Sequence, residues 1–382
     1  MAIGRAIEYT NAGTVEFLVS REREFFFIEV NTRIQVEHPV TELVTGLDLV
    51  RLQIEVAEGK PLPKNPRSIG HAIEARLYAE DPGNAFLTTI GTVHRWRAPG
   101  NVRVDTALEQ GVEIGIHFDP LLAKISSYGM DRESAIRELV YALRSTCVLG
   151  VKTNREYLIQ ILESDEFLEG DAHTAFLPAP QETDTTDHIA AAVLYLERTR
   201  QTPFPHYRNN PYRDPSMKLR TSGEDFEVQW KPLGPDQYEV TCGARTHACR
   251  VHTRVNARDE IALEIDDVIH RYEIAESGDH LFIHSPAADT VIQRLPRHPR
   301  PASATRHETA NSPMPGQVLR ILVEEGQLVK IGDSLVVLEA MKMEQTIRTT
   351  INGRVQSVLV KTGQVVAPGQ MLVEIGAEEN EL

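Results

Sequence analysis

The sequence predicts a multidomain α+β protein, and three observations carry that expectation. The texture changes twice along the chain, from mixed helices and strands to short alternating strands, and then to a Gly-punctuated strand region. A proline-rich stretch without periodicity, "LPRHPRPASATRHETANSP", separates the second region from the third and reads as a flexible linker. The third region repeats itself without gaps. "PGQVLRILVEEGQLVKIGDSLVVLE" overlays "NGRVQSVLVKTGQVVAPGQMLVEIG", so Gly316, Gly326 and Gly332 fall on Gly353, Gly363 and Gly369.

At 382 residues the chain has room for two or three domains, each with its own core. A content of 41% hydrophobic and 25% charged residues is that of a folded protein. The formal charge of −15 argues against a nucleic-acid binder or an anionic-membrane binder and suits a cytoplasmic enzyme subunit. Cys242 and Cys249 could pair, but three thiols (with Cys147) read more simply as reduced and buried. No apolar run approaches the roughly 20 residues that span a bilayer, and "MAIGRAIEYTNAG" has no secretory apolar segment.

Within residues 1–178, "GLDLVRLQIEVAEG" spaces apolar residues as a helix and stops at Gly59. "DRESAIRELVYALR" offers Asp131 as a cap and turns Ala135, Ile136, Leu139, Val140 and Leu143 to one face. "TNREYLIQIL" sets Thr153 and Glu156 in capping-box positions. After the polar break "PAPQETDTTD", residues 181–295 begin with a helix, "DHIAAAVLYLERTR", able to plug or flank the antiparallel barrel that the following short strands suggest. Residues 296–312 form the linker, and residues 313–377 a pseudo-twofold, flattened β-barrel or sandwich. Lys342, in Ala340-Met341-Lys342-Met343, falls between the repeats, at an exposed hairpin tip where its amine can be acylated with loss of charge.

The run "FFFIEVNTRIQVEHPVTE" alternates. Ile28, Val30, Ile34 and Val36 share one parity, and Glu29, Asn31, Arg33, Gln35 and Glu37 the other. If extended, it turns the first set to a core and lines up the second. Glu16, in "GTVEFLV", would stand near Glu29 if the two runs pair as a hairpin. Two carboxylates and an amide oxygen are hard ligands suited to Mg²⁺ or Mn²⁺ bridging to nucleotide phosphates. His38, before Pro39, reads as structural, and His71, His94 and His117 show no metal spacing.

These residues carry a resemblance. The lysine motif at the junction of a duplicated β unit resembles the biotinyl domain of biotin-dependent carboxylases over 313–377. It implies covalent biotin on Lys342, a biotin protein ligase as partner, and Pro313-Met314-Pro315 as the entry to the domain. Lipoyl domains share the fold but usually carry Asp and Ala beside the lysine, so a lipoyl-type carrier is the less favoured alternative. Residues 1–178 resemble the C-terminal part of an ATP-grasp biotin carboxylase. That resemblance implies that Glu16 and Glu29 bind the metals holding ATP, with Asn31 as third ligand. It further implies that Arg33, Gln35 and Val36 contact bicarbonate, that Glu37 is the general base, and that Arg103, in "GNVRVDTAL", stabilises the biotin enolate.

Only about 130 residues separate the two ends, which resembles the α subunits of acyl-CoA carboxylases (acetyl, propionyl or methylcrotonyl type). There a helix-plus-barrel domain docks a carboxyltransferase β subunit in a hetero-oligomer. A complete biotin carboxylase also carries a preceding α/β domain, a Gly-rich lid and ATP-gripping lysines. No such run occurs in residues 1–178, so this chain alone is expected not to carboxylate biotin. A chain serving only as biotinylated carrier and docking protein is the second alternative.

Overall fold

A computed structural model describes residues 2–63, 66–181, 183–199, 214–252, 259–296, 307–340 and 343–377. The N-terminal lobe opens with an antiparallel ribbon of β1 (Thr14–Val19) and β2 (Phe25–Asn31), in which Glu16 stands opposite Glu29. Two helices follow, α1 (His38–Thr45) and α2 (Leu49–Ala57). Proline in the first turn of α1 has no amide to leave unpaired, and Gly46 closes the helix in the left-handed region at φ 70°. Asp48 caps α2 by accepting from the Arg51 amide at 2.8 Å.

The centre of the lobe is an antiparallel sheet. Its middle strand, β6 (Leu121–Gly129), lies between β3 (His71–Tyr78) and β5 (Arg103–Thr106); β4 (Arg95–Arg97) pairs separately with β7 (Cys147–Leu149). Helix α3 (Arg132–Ser145) covers this sheet, with Asp131 and Ser134 forming a reciprocal cap. Its buried face is Ala135, Ile136, Leu139, Ala142 and Leu143, packed on Ala75 and Ile125, while Val140 is only partly buried. The expected Thr153/Glu156 capping box is not formed at α4 (Arg155–Leu162). Asn154 takes the cap position, and Glu156 Oε1 instead accepts from the Asp289 amide (2.8 Å) and from Arg155 (2.7 Å). A contact with the next domain wins over the local one.

Helix α5 (Thr186–Thr199) plugs a closed antiparallel barrel of eight strands, β8 (Ser216–Thr221), β9 (Glu224–Gly234), β10 (Gln237–Cys242), β11 (Arg245–Val251), β12 (Glu260–Ile265), β13 (Val268–Ser277), β14 (His280–His284) and β15 (Asp289–Arg294). Every residue from His188 to Tyr195 is buried, the mark of a helix surrounded by protein on all sides. The inward residues of the strands, among them Val228, Val240, Leu263, Tyr272 and Ile283, meet it in one core. Each such large side chain fully buried stabilises by about 1.5–3 kcal/mol. The three cysteines are free and buried.

Lobe and barrel share a seam. Cys147 and Leu149 of β7 pack with Ala275 and Phe282, and Arg155, fully buried, donates to Asp289 (3.1 Å) and to the Ser285 carbonyl (3.1 Å).

The C-terminal unit is two four-stranded sheets, β16-β23-β21-β18 and β20-β19-β17-β22, built from β16 (His307–Asn311), β17 (Gly316–Ile321), β18 (Leu328–Val329), β19 (Ser334–Ala340), β20 (Met343–Arg348), β21 (Gly353–Val358), β22 (Val365–Val366) and β23 (Met371–Ala377). The 37-residue repeat is visible in detail. The register slips between Val318 and Arg320 in one half and between Val355 and Ser357 in the other. Gly326 and Gly363, like Gly332 and Gly369, all take positive φ. Leu335 and Leu372, Val329 and Val366, and Val318 and Val355 fill equivalent core positions. The linker read as 296–312 is shorter than expected. Residues 307–311 form β16, because an edge strand opposite β23 completes the twofold partner of β20.

Candidate active site

The site is built on the β1–β2 ribbon and on the turn leading into α1. The regular alternation predicted for residues 28–37 holds only to Asn31, where β2 ends. Residues 32–37 leave the ribbon and turn, because His38–Pro39 begins a helix. The polar residues converge all the same. Asn31 Nδ2 donates to Glu16 Oε1 (2.6 Å) and to Glu29 Oε1 (3.1 Å), and Gln35 Nε2 donates to Glu16 Oε1 (3.3 Å). Arg33 reaches Gln35 Oε1 at 3.2 Å and Asn31 Oδ1 at 3.4 Å. Five of the expected residues therefore form one hydrogen-bonded set in which amide donors compensate two facing carboxylates. The apolar parity is only partly packed: Ile28 is more than half exposed, whereas Val30, Ile34 and Val36 are half-buried.

The rest of the expected set is tied to the sheet beneath. Glu37 Oε2 accepts from Arg76 Nη2 at 2.6 Å, and the Val36 carbonyl accepts from Lys124 Nζ at 3.0 Å. Arg103, on β5, donates through Nη1 to Glu42 Oε2 (2.5 Å) and through Nε to Asp105 Oδ1 (3.1 Å). Asp105's hydrogen bond, with Glu42 adding to it against partial burial, holds the Arg103 guanidinium above its ordinary value. Burial pushes the Asp105 carboxyl up, but Arg103 and Lys124 more than offset it and hold it below the usual range. His38 Nδ1 lies 2.9 Å from the Gln35 carbonyl and fixes the turn, which fits its structural reading.

Glu42, Arg76, Asp105 and Lys124 were not read from the sequence as part of the site. Their only early signal is position: Arg76, Lys124 and Asp105 stand directly opposite one another on three adjacent strands, a register invisible without the pairing. Lys342 and Met341 lie outside the described residues. Their neighbours Ala340 and Met343 pair with each other, so β19 and β20 are joined by those two residues alone. The cavities along the lobe–barrel seam, about 600 and 1080 Å³, contain none of the candidate residues. Cys147, Glu273 and His284 place ligand atoms within 4.8 Å of one another, yet Glu273 already accepts from Arg97 and Arg95, and His284 is held by Asp289 at 2.6 Å. That group is an ion-pair seam.

Family models match along the whole chain. The ATP-binding domain of carbamoyl-phosphate synthase L chain matches residues 1–65, and the biotin carboxylase C-terminal domain residues 74–179. The BT domain of the methylcrotonyl-CoA carboxylase α subunit matches residues 185–297, and the biotin-requiring enzyme domain residues 308–375. The four matches follow one another without overlap from the N-terminal lobe to the C-terminal unit. The mitochondrial methylcrotonoyl-CoA carboxylase subunit α of Mus musculus is 32% identical over 90% of this chain and 53% of its own length; the mitochondrial propionyl-CoA carboxylase α chain of Mus musculus is 32% identical over 91% and 52%. A biotin carboxylase domain dimer of Hydrogenobacter thermophilus 2-oxoglutarate carboxylase, solved with MgADP and bicarbonate, is 40% identical over 46% of this chain and 40% of its own, with a TM-score of 0.45. The chain is thus similar, segment by segment, to the biotin-containing α subunits of acyl-CoA carboxylases. It spans about half the length of the curated relatives it matches.

Proposed function

We propose that this chain carries the metal- and bicarbonate-facing part of a biotin carboxylase site, a subunit-docking barrel and a biotin carrier, and that it serves an acyl-CoA carboxylase of the acetyl, propionyl or methylcrotonyl type. The divisions are 1–178, 181–295 and 313–377, with β16 at 307–311 joining the last of these and shortening the linker expected over 296–312. The observation that carries the reading is the pairing of Glu16 with Glu29 across the ribbon, with Asn31, Arg33 and Gln35 bonded to the same set.

Glu16, Glu29 and the Asn31 amide oxygen are hard donors that fit Mg²⁺ or Mn²⁺. Asn31 Nδ2, donating to both carboxylates, holds the pair to one point. ATP with its metal, when bound, supplies the phosphoryl group that makes bicarbonate electrophilic. The protein's own part is positioning. The Arg33 fork can grip a planar anion with two parallel hydrogen bonds, and Gln35 and Val36 flank it. Glu37, half exposed and next in the turn, takes the bicarbonate proton. Arg103, already paired with two carboxylates, would face the ureido group of bound biotin and supply preorganised positive charge there.

Lys342 carries biotin on its ε-amino group, and the hairpin tip with Met341 and Met343 is the surface for a biotin protein ligase. The barrel docks the carboxyltransferase β subunit in a hetero-oligomer. Among the described residues no helix is long and apolar enough to cross a membrane, and we assign the chain to the cytoplasm. The net charge of −15 fits neither a nucleic-acid nor a membrane partner.

Peptide mass spectrometry of the chain purified from its natural source tests this reading. A biotinyl group on Lys342 is expected. A lipoyl group, or an unmodified lysine in the presence of active ligase, would remove the carboxylase assignment.

A further inference from the structure

We infer that Lys124 is a positioning residue that ties the bicarbonate turn to the enolate-facing arginine. The inference rests on the reading proposed above and adds to it a residue that the sequence motifs do not name. Lys124 lies at the centre of β6, opposite Arg76 on β3 and Asp105 on β5. These three side chains therefore form one row across a single face of the sheet. Each makes a different connection to the site. Arg76 binds the Glu37 carboxylate at 2.6 Å, Asp105 binds Arg103 at 3.1 Å, and Lys124 joins the two halves by donating to the Val36 carbonyl at 3.0 Å and to Asp105 Oδ2 at 3.1 Å.

The burial pattern agrees with a connecting role. The Lys124 side chain is 13% exposed, against 40% for Arg76 and 32% for Arg103. Asp105 stands against this largely buried side chain as its anionic partner at 3.1 Å. The hydrogen bond to Val36 is then charge-assisted, and it holds a carbonyl flanked by Gln35 and Glu37. The amides of His38 and Val40 reach back to the carbonyls of Gln35 and Glu37. The other anchors of the turn hold Gln35 and Glu37 through their side chains and backbone, by His38, Glu16, Arg33 and Arg76, whereas Lys124 holds the Val36 carbonyl between them. Without Lys124, the Val36 carbonyl loses its link to the sheet and Asp105 keeps only Arg103. The base, still held by Arg76, and the arginine, still held by Glu42 and Asp105, then lose the residue that bridges them. An offset of about 1 Å between them is enough to lower a rate substantially.

The test has two arms with Lys124→Met, which keeps the length and packing of the stem, and Lys124→Arg, which restores two donors. In the first arm the 382-residue chain itself is followed by amide hydrogen exchange. The amides of His38 and Val40 are expected to exchange about tenfold faster in Lys124→Met, the effect of one lost charge-assisted hydrogen bond. Lys124→Arg is expected to restore protection. Unchanged exchange in Lys124→Met overturns the inference. In the second arm the natural assembly containing this chain is assayed for bicarbonate-dependent ATP cleavage with free biotin. Lys124→Met is expected to raise KM for bicarbonate about tenfold while KM for ATP stays within about twofold, and Lys124→Arg to recover most of the loss. A parallel rise in both KM values would mark a general loss of structure and would also overturn it. If the wild-type assembly shows no bicarbonate-dependent cleavage, the proposed function falls, and the exchange arm alone decides whether Lys124 holds the turn.

Discussion

Arg155 shows how much one residue can hold. Its side chain is fully buried, and it donates to Glu156 at 2.7 Å, to Asp289 and the Ser285 carbonyl at 3.1 Å, and to the Leu143 carbonyl at 3.4 Å. Burial pushes the guanidinium down, but Asp289 and Glu156 more than offset it and keep it charged. Substituting Arg155→Met removes the cation that Glu156 and Asp289 share and leaves Asp289 with His284. The expected cost is about 3 kcal/mol, because a buried pair is broken on one side. The shift of the denaturant midpoint at constant slope measures it. Arg155→Lys is expected to rescue little, since an ammonium cannot span the same four acceptors in a fixed plane. A midpoint unchanged in Arg155→Met would mean that the seam is held by its apolar contacts.

At the scale of elements, the twofold repeat of the C-terminal unit is not symmetric in its tolerances. A Cβ added at Gly353 would come within 2.2 Å of the Gly376 carbonyl oxygen and 2.9 Å of Ile375, whereas at Gly316 the nearest atom is 3.0 Å away. Gly353→Ala is therefore expected to destabilise the unit by about 1–3 kcal/mol, and Gly316→Ala by less. Thermal unfolding of the two variants side by side checks the order, and equal losses would contradict it. The repeat itself was legible because its signals are local: glycines at turns, a fixed period and alternating core residues. Helices α2, α3 and α5 were legible for the same reason, through caps and apolar spacing. In the site, the Glu16–Glu29 pairing was legible from two adjacent strand-like runs. The end of β2 at Asn31 was not, because parity alone does not reveal that the next helix forces a turn. The Arg76–Lys124–Asp105 row and the diversion of Glu156 to Asp289 depend on contacts between residues far apart in sequence, where no local pattern reports them.

At the scale of the molecule, lobe and barrel are joined by charge as well as by packing, and this makes their common stability depend on pH. His188, inside the barrel, places Nε2 2.9 Å from Ser285 Oγ and sets its ring edge-on to Tyr272 at 5.4 Å. The groups around it are Asp187, Asp289, His284 and Arg155. Burial lowers its pKa from the ordinary 6.5, and the attraction of Asp187 and Asp289 does not offset this. The unfolded chain therefore takes up a proton as pH falls below about 6.5, while the folded barrel resists it until the lower folded value is reached. The contribution is fully present above about pH 6.5 and is lost as pH falls toward the folded pKa. Asp289 adds a second, lower window. Burial raises its carboxyl, but Arg155 and His284 more than offset that, so its share is present above the ordinary 3.8 and is lost as pH falls through its depressed value. The unfolding midpoint of the whole chain is expected to be flat down to about pH 6.5 and to decline below it. His188→Phe, which keeps the edge-on contact with Tyr272, is expected to flatten the upper part of that decline and leave the lower part in place. A wild-type slope in this variant would overturn the assignment of the upper window to His188 and to the barrel core.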